Sequence, residues 1–148
     1  AALAQLGRFE EAATEHQAAL RLKPGFAAAH YNLGNALQQS GRLEEAVAQF
    51  REALELKPDH LEAHNNLGAA LVSLGRLEEA AGQFRDAVKI DPRPVEAHNN
   101  LGVALERLGR HAEAVTHFEE AARLKAGSAA ARSNPNRAMT SRPPLPAR

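Results

Sequence analysis

The chain has 148 residues, with 18 basic and 18 acidic side chains, no formal net charge, no Cys and no Trp. Without Cys there is no disulfide framework, thiolate metal site or Cys nucleophile, which fits a reducing, cytoplasmic compartment. No apolar run approaches the ~18 residues of a membrane span, and no charged-then-apolar leader opens the chain.

Residues 1–26 read as the last three-quarters of a unit that then occurs three times whole, at 27–60, 61–94 and 95–128. The interval is 34 residues. It relates Leu33-Gly34, Leu67-Gly68 and Leu101-Gly102, and also Gly41, Gly75 and Gly109. Ala46, Ala80 and Ala114 keep it, as do Phe50, Phe84 and Phe118, then Ala53, Ala87 and Ala121, then Pro24, Pro58 and Pro92. In the partial unit, Gly7, Ala12 and Ala19 fall in step. A fixed period of this size marks a repeat architecture.

Each unit predicts two helices. From 61 to 74, Leu67, Ala70, Leu71 and Leu74 follow the spacing of one helical face. Gly75 stops that helix, since glycine reaches the left-handed conformation common at helix ends. The second helix carries Glu78 and Glu79 in its first turn, where the dipole favours acids. Its apolar stripe is Leu77, Ala80, Phe84, Ala87 and Val88, and Pro92 closes it. Asp59 and Glu62 have the spacing of a capping box ahead of His64. Gly68 and Ala80 predict close helix approach, with Leu67 and Phe84 filling the surroundings. One pair cannot bury its own face, so the units stack into a continuous core.

The Leu-Gly, Ala-x3-Phe and Pro positions at this period resemble the tetratricopeptide repeat over residues 1–125. The resemblance implies an all-α solenoid of helix-turn-helix units in a right-handed superhelix. The family's frequent Trp is replaced by His30, His64 or His98, and its usual Tyr by Leu37, Leu71 or Leu105.

"HNNLG" at 64–68 and 98–102, with "HYNLG" at 30–34, poses the question of a site. A zinc site needs three or four donors converging at about 2.0–2.3 Å. His64 and His98 lie on different stacked helices, with no Cys and no repeated acid on their face. They read as interhelical packing residues with a polar tip, and no metal, cofactor or catalytic group is expected. No Ser-His-Asp set, phosphate loop or carboxylate pair appears elsewhere, so the chain is read as a non-enzyme.

Asn32, Asn66 and Asn100 occupy one position of the unit, directly before Leu-Gly. The family geometry implies that this position faces the concave groove. An amide donates and accepts, which suits the main chain of an extended peptide. These residues resemble the asparagine ladder in the tetratricopeptide superhelix of O-GlcNAc transferases and their bacterial homologues. The implied peptide-binding set is Asn32, Asn66 and Asn100, with Tyr31 as the aromatic anchor and Asn35, Asn65 and Asn99 beside them. Chaperone-binding members instead hold a carboxylate with Lys and Arg. The matching positions here are Tyr31, Asn35, Asn66, Glu96 and Asn100, where Glu96 would repel it. The other groove positions, Gln38, Gln39, Glu62, Val72, Ser73, Val103, Glu106 and Arg107, are polar and slightly acidic.

Residues 1–125 carry 14 basic against all 18 acidic side chains, and the balance comes from Arg132, Arg137, Arg142 and Arg148. With no basic stripe on the folded part, nucleic acid is not an expected partner. Where a fourth Pro would fall stands Ala126, and residues 129–148 read as a disordered Pro/Arg tail. The favoured reading is a scaffold that binds a peptide segment of another protein. Its rival is a substrate-recognition fragment of a larger enzyme such as an O-GlcNAc-transferase-like glycosyltransferase. A third is end-to-end self-association through uncapped repeats.

Overall fold

In each whole unit the chain reverses at a glycine held at positive φ: 81° at Gly41, 75° at Gly75 and 76° at Gly109. There the first helix ends in a 6→1 bond, as in Arg76 N–H to Leu71 O at 2.9 Å, repeated by Arg42 to Leu37 and Arg110 to Leu105. This is the closure that a left-handed residue permits. The computed structural model describes residues 2–133, and seven helices run through them: α1 (Ala2–Leu22), α2 (Ala27–Gln39), α3 (Leu43–Leu56), α4 (Leu61–Ser73), α5 (Leu77–Ile90), α6 (Val95–Arg107) and α7 (His111–Ser133). No strand occurs among the described residues. The molecule is an all-α solenoid.

Consecutive helices pack as antiparallel pairs α2–α3, α4–α5 and α6–α7, with α1 against α2. The core is a line of small and branched side chains. Ala46, Ala80 and Ala114 are wholly buried, and Leu67, Leu71, Leu101 and Leu105 fill the layers between them. Gly68 makes room for a ring rather than for Ala80. A Cβ at Gly68 would lie 2.5 Å from Phe84, and the same holds at 2.6 Å for Gly34 with Phe50 and Gly102 with Phe118. Phe50 and Phe84 are essentially inaccessible, whereas Phe118, in the last pair, is only partly buried.

Curvature follows from which helices touch. The backbones of α2, α4 and α6 approach in sequence, while among the described residues those of α3 and α5, or α5 and α7, do not. The first-helix layer therefore lies on the inside of the bend.

Three local expectations are corrected. Gly7 does not end a helix: α1 runs through it without a left-handed residue. Asp59 does not cap α4, whose N-cap is His60, with no side-chain cap bond. Finally, residues 129–133 continue α7 instead of beginning a tail, because Ala126 leaves the helical bonding intact where proline interrupts it in the other units. The remaining part of the expected tail, 134–148, lies outside the described residues.

Candidate functional site on the concave face

In repeat register, one polar stripe runs along each first helix. On α2 it comprises Tyr31, Asn32, Asn35 and Gln38; on α4, Glu62, Asn65, Asn66 and Ala69; on α6, Glu96, Asn99, Asn100 and Val103. These positions fall three and four apart, so each stripe stays on one side of its helix.

Between α2 and α4 the stripe closes into a hydrogen-bonded cluster. Asn66 Nδ2 donates to Asn35 Oδ1 at 2.7 Å and to the Tyr31 hydroxyl at 3.2 Å. Both amide protons of Asn66 are thereby used within the protein. The Tyr31 ring packs on His60, centroids 4.6 Å apart, and on Phe50 at 6.0 Å. Groups left to meet a ligand are the Asn66 carbonyl, the Asn35 amide N–H groups and the Tyr31 O–H.

The next step of the ladder differs. Thirty-four residues on, Tyr31 and Asn35 become Asn65 and Ala69. Asn100 therefore finds no oxygen where Asn66 finds Asn35. Among the described residues no hydrogen bond joins Asn32 or Asn100 to the cluster. Asn65 Oδ1 is buried without a hydrogen-bond partner, as is His60 Nδ1. Glu62 Oε2 lies 3.1 Å from that nitrogen, but out of hydrogen-bonding direction. Asn32 and Asn99 are exposed, and Asn100 is half-buried.

The histidines of the "HNNLG" stretches point away from this face and tie the units together. His64 Nδ1 meets Gln83 Oε1 at 2.9 Å and its Nε2 donates to the Pro58 carbonyl at 2.9 Å. His30 does the same with Gln49 and Pro24. His98 reaches Pro92 at 3.0 Å, but its Nδ1 faces His117 Nδ1 at 3.1 Å. Each ring thus links a first helix to its own second helix and to the turn before it. A glutamine amide serves either protonation state of its histidine by turning over. The His98–His117 pair lacks that freedom: with Pro92 taking the Nε2 proton, one ring must donate and the other accept. Burial, then the neighbouring His98 and Arg85, hold the His117 pKa below its usual value, against the pull of Glu113. Gln49 and Gln83 recur at the 34-residue interval, so the latch was visible in the repeat.

The outer layer is joined by ions. Arg42, Arg76 and Arg110 each hold a glutamate three residues on, Glu45, Glu79 and Glu113, at 2.6 to 2.7 Å. Arg42 also reaches back to Glu10 at 3.1 Å, Arg110 approaches Glu78 at 4.0 Å, and Arg51 bridges α3 to Glu79 at 2.8 Å. These hydrogen bonds hold the carboxyls of Glu45, Glu79 and Glu113 below the usual carboxylate range. Among the described residues no three His, Cys, Asp or Glu side chains gather as a metal site. No described helix is long and apolar enough to cross a membrane.

Family models described as "Tetratricopeptide repeat" match residues 31–93 and 84–131, and one described as "TPR repeat" matches residues 1–41. The chain belongs to the tetratricopeptide repeat family. Solved tetratricopeptide structures of MamA superpose well. One, at 25% identity, covers 84% of this chain and 73% of that chain with a TM-score of 0.81. MamA from residue 41 to its end, from Desulfovibrio magneticus RS-1, is 27% identical over 84% of this chain and 71% of that one, TM-score 0.77. MamA AMB-1 is 29% identical over 78% and 63%, TM-score 0.73. No curated protein matches the sequence. Family and fold together make this tetratricopeptide solenoid a protein-interaction scaffold in the general sense.

Proposed function

We propose that the scaffold is non-catalytic and holds an extended segment of a partner protein along the concave face. The observation that carries this reading is the Tyr31–Asn35–Asn66 cluster, a set of polar side chains held in fixed orientation on the inside of the bend. Preorganised amides and a hydroxyl of known direction lose little freedom when a peptide binds. Asn32, Asn99 and Asn100 extend the same stripe to either side, so a peptide main chain can be followed across three helices. In this reading Asn65 supplies support beneath the ladder.

A selection of linear peptides from a random library against the full chain tests the reading. The same selection is run on the Asn32→Ala/Asn66→Ala/Asn100→Ala chain. Enriched peptides should bind the unmutated protein and lose affinity for the triple variant, with helicity unchanged by circular dichroism. Equal binding to both would sink the asparagine ladder.

A further inference from the structure

We propose that a cleft between α6 and α7 receives an acidic side chain of the bound segment, with Lys125, Asn99 and Ser128 around its carboxylate. The inference rests on the groove reading above and adds to it the chemistry of one ligand side chain.

The cleft exists because α7 does not stop. The second helices of earlier units end at Leu22, Leu56 and Ile90, just ahead of Pro24, Pro58 and Pro92. At the fourth such place stands Ala126, and α7 runs on through it. Lys125, Ser128 and Ala129 lie three and four residues apart on one side of that extension. With Val95 and Asn99, at the start of α6, they surround a cleft of about 400 Å³, within the range of small-ligand sites. The counterparts of Lys125 and Ser128, at 91 and 94 and at 57 and 60, fall outside the second helices. The arrangement therefore belongs to this unit and not to the repeat.

The polar groups around the cleft are open to a ligand. Lys125 has alanine at 121, 122 and 129 and serine at 128, so no acid on its own helix stands where it could pair. Among the described residues no hydrogen bond or ion pair engages the side chains of Lys125, Asn99 or Ser128, and all three are exposed. Glu96 follows Val95 in sequence but is turned about 100° from it around α6, and it is not among the residues around the cleft. A lysine ammonium only donates, an asparagine amide and a serine hydroxyl can each donate as well. Donors and one positive charge at a single opening are complementary to a carboxylate.

Asn99 connects the cleft to the stripe. It stands in the register of Tyr31 and Asn65 and also borders the cleft. A main chain that follows the stripe as far as α6 passes the mouth of the cleft there. A side chain leaving it at that point lays its methylene groups against Val95 and Ala129 and presents its carboxylate to Lys125 and Ser128. The fixed charge also sets which way along the stripe the segment runs, because its acid must arrive at the α6 end.

The test uses the full chain and the selected peptides, prepared with amidated C-termini. Those that bind should carry an aspartate or glutamate. Replacing that acid by its amide should weaken binding about fivefold, the effect of one partly exposed ion pair. Lys125→Gln, which keeps helix propensity, should cost the same, and both changes together no more than either alone. Peptides that bind as well without an acid overturn the proposal. So does an acid whose neutralisation costs as much in Lys125→Gln as in the unmutated chain. Binding that needs a free C-terminus in place of the acidic side chain overturns it too.

The two readings fail separately. Peptide binding that Lys125→Gln leaves unchanged overturns the cleft alone and leaves the groove. If the library yields no peptide, the external-segment reading falls and a small acid decides the cleft. The probe is then the α-amide of N-acetylglutamate, with the α-amide of N-acetylglutamine as its neutral control. The acid alone should shift the NMR signals of Asn99 and Ser128, and Lys125→Gln should abolish those shifts. No shift, or equal shifts with the neutral control, overturns the proposal.

Discussion

A methyl group at position 68 would stand 2.5 Å from the Phe84 ring, and one at position 102 would stand 2.6 Å from Phe118. The distances are alike, but the surroundings are not. Phe84 is 1% exposed and walled in by neighbouring units, whereas Phe118 lies in the last described pair and is partly open. Overpacking a closed core costs about 1–3 kcal/mol, because the ring can leave only by displacing others. Gly68→Ala should therefore lose stability in that range by urea unfolding, and Gly102→Ala clearly less, since Phe118 can swing outward. Equal losses at the two sites would show that accessibility does not govern the cost. The glycines recur in sequence, but their reason does not show there. A Leu-Gly pair suggests close helices, while only the structure shows that a phenylalanine sixteen residues later fills the space.

Within a helix pair the histidine latch decides how the two helices and the preceding turn are held. In two units a glutamine completes it; in the third His117 does. The His117 pKa is lowered by folding, principally through burial. Above its unfolded value of about 6.5, His117 is neutral in both states and adds no pH dependence. As pH falls below that value the unfolded chain takes up the proton first, and stability declines. His117→Gln should remove this part of the decline. The melting temperatures of the native chain and the variant should draw apart as pH is lowered from about 7 to about 5.5, with the variant the more stable. Parallel curves would mean that the pair accommodates its protons without cost. The helix spans were largely legible, because apolar spacing and the glycine stops repeat with the period. The continuity of α1 was not. Gly41, Gly75 and Gly109 take positive φ where a second helix folds back on the first, whereas α1 continues through Gly7. The shared register of Asn32, Asn66 and Asn100 could be read from their spacing. The bonding of Asn66 could not, since it depends on Tyr31 and Asn35, whose successors are Asn65 and Ala69.

Across the whole array each pair is stabilised by its neighbours, so protection should be graded rather than uniform. Pair α4–α5 is stacked on both sides, while α1 and α7 each pack against one neighbouring helix only among the described residues. Native-state hydrogen exchange should find the slowest amides in α4 and α5, with opening free energies falling toward either end. A single value throughout would indicate one all-or-none unit and contradict the stacking picture.

The two layers of this bend are fastened by different physics. On the inside, neutral amides join α2 to α4; on the outside, Arg51 and Arg110 cross the gaps as charges in water. Salt weakens the second kind and scarcely touches the first. Like a strip of two metals that expand unequally on warming, the molecule has a built-in reason to change its radius with the ionic medium.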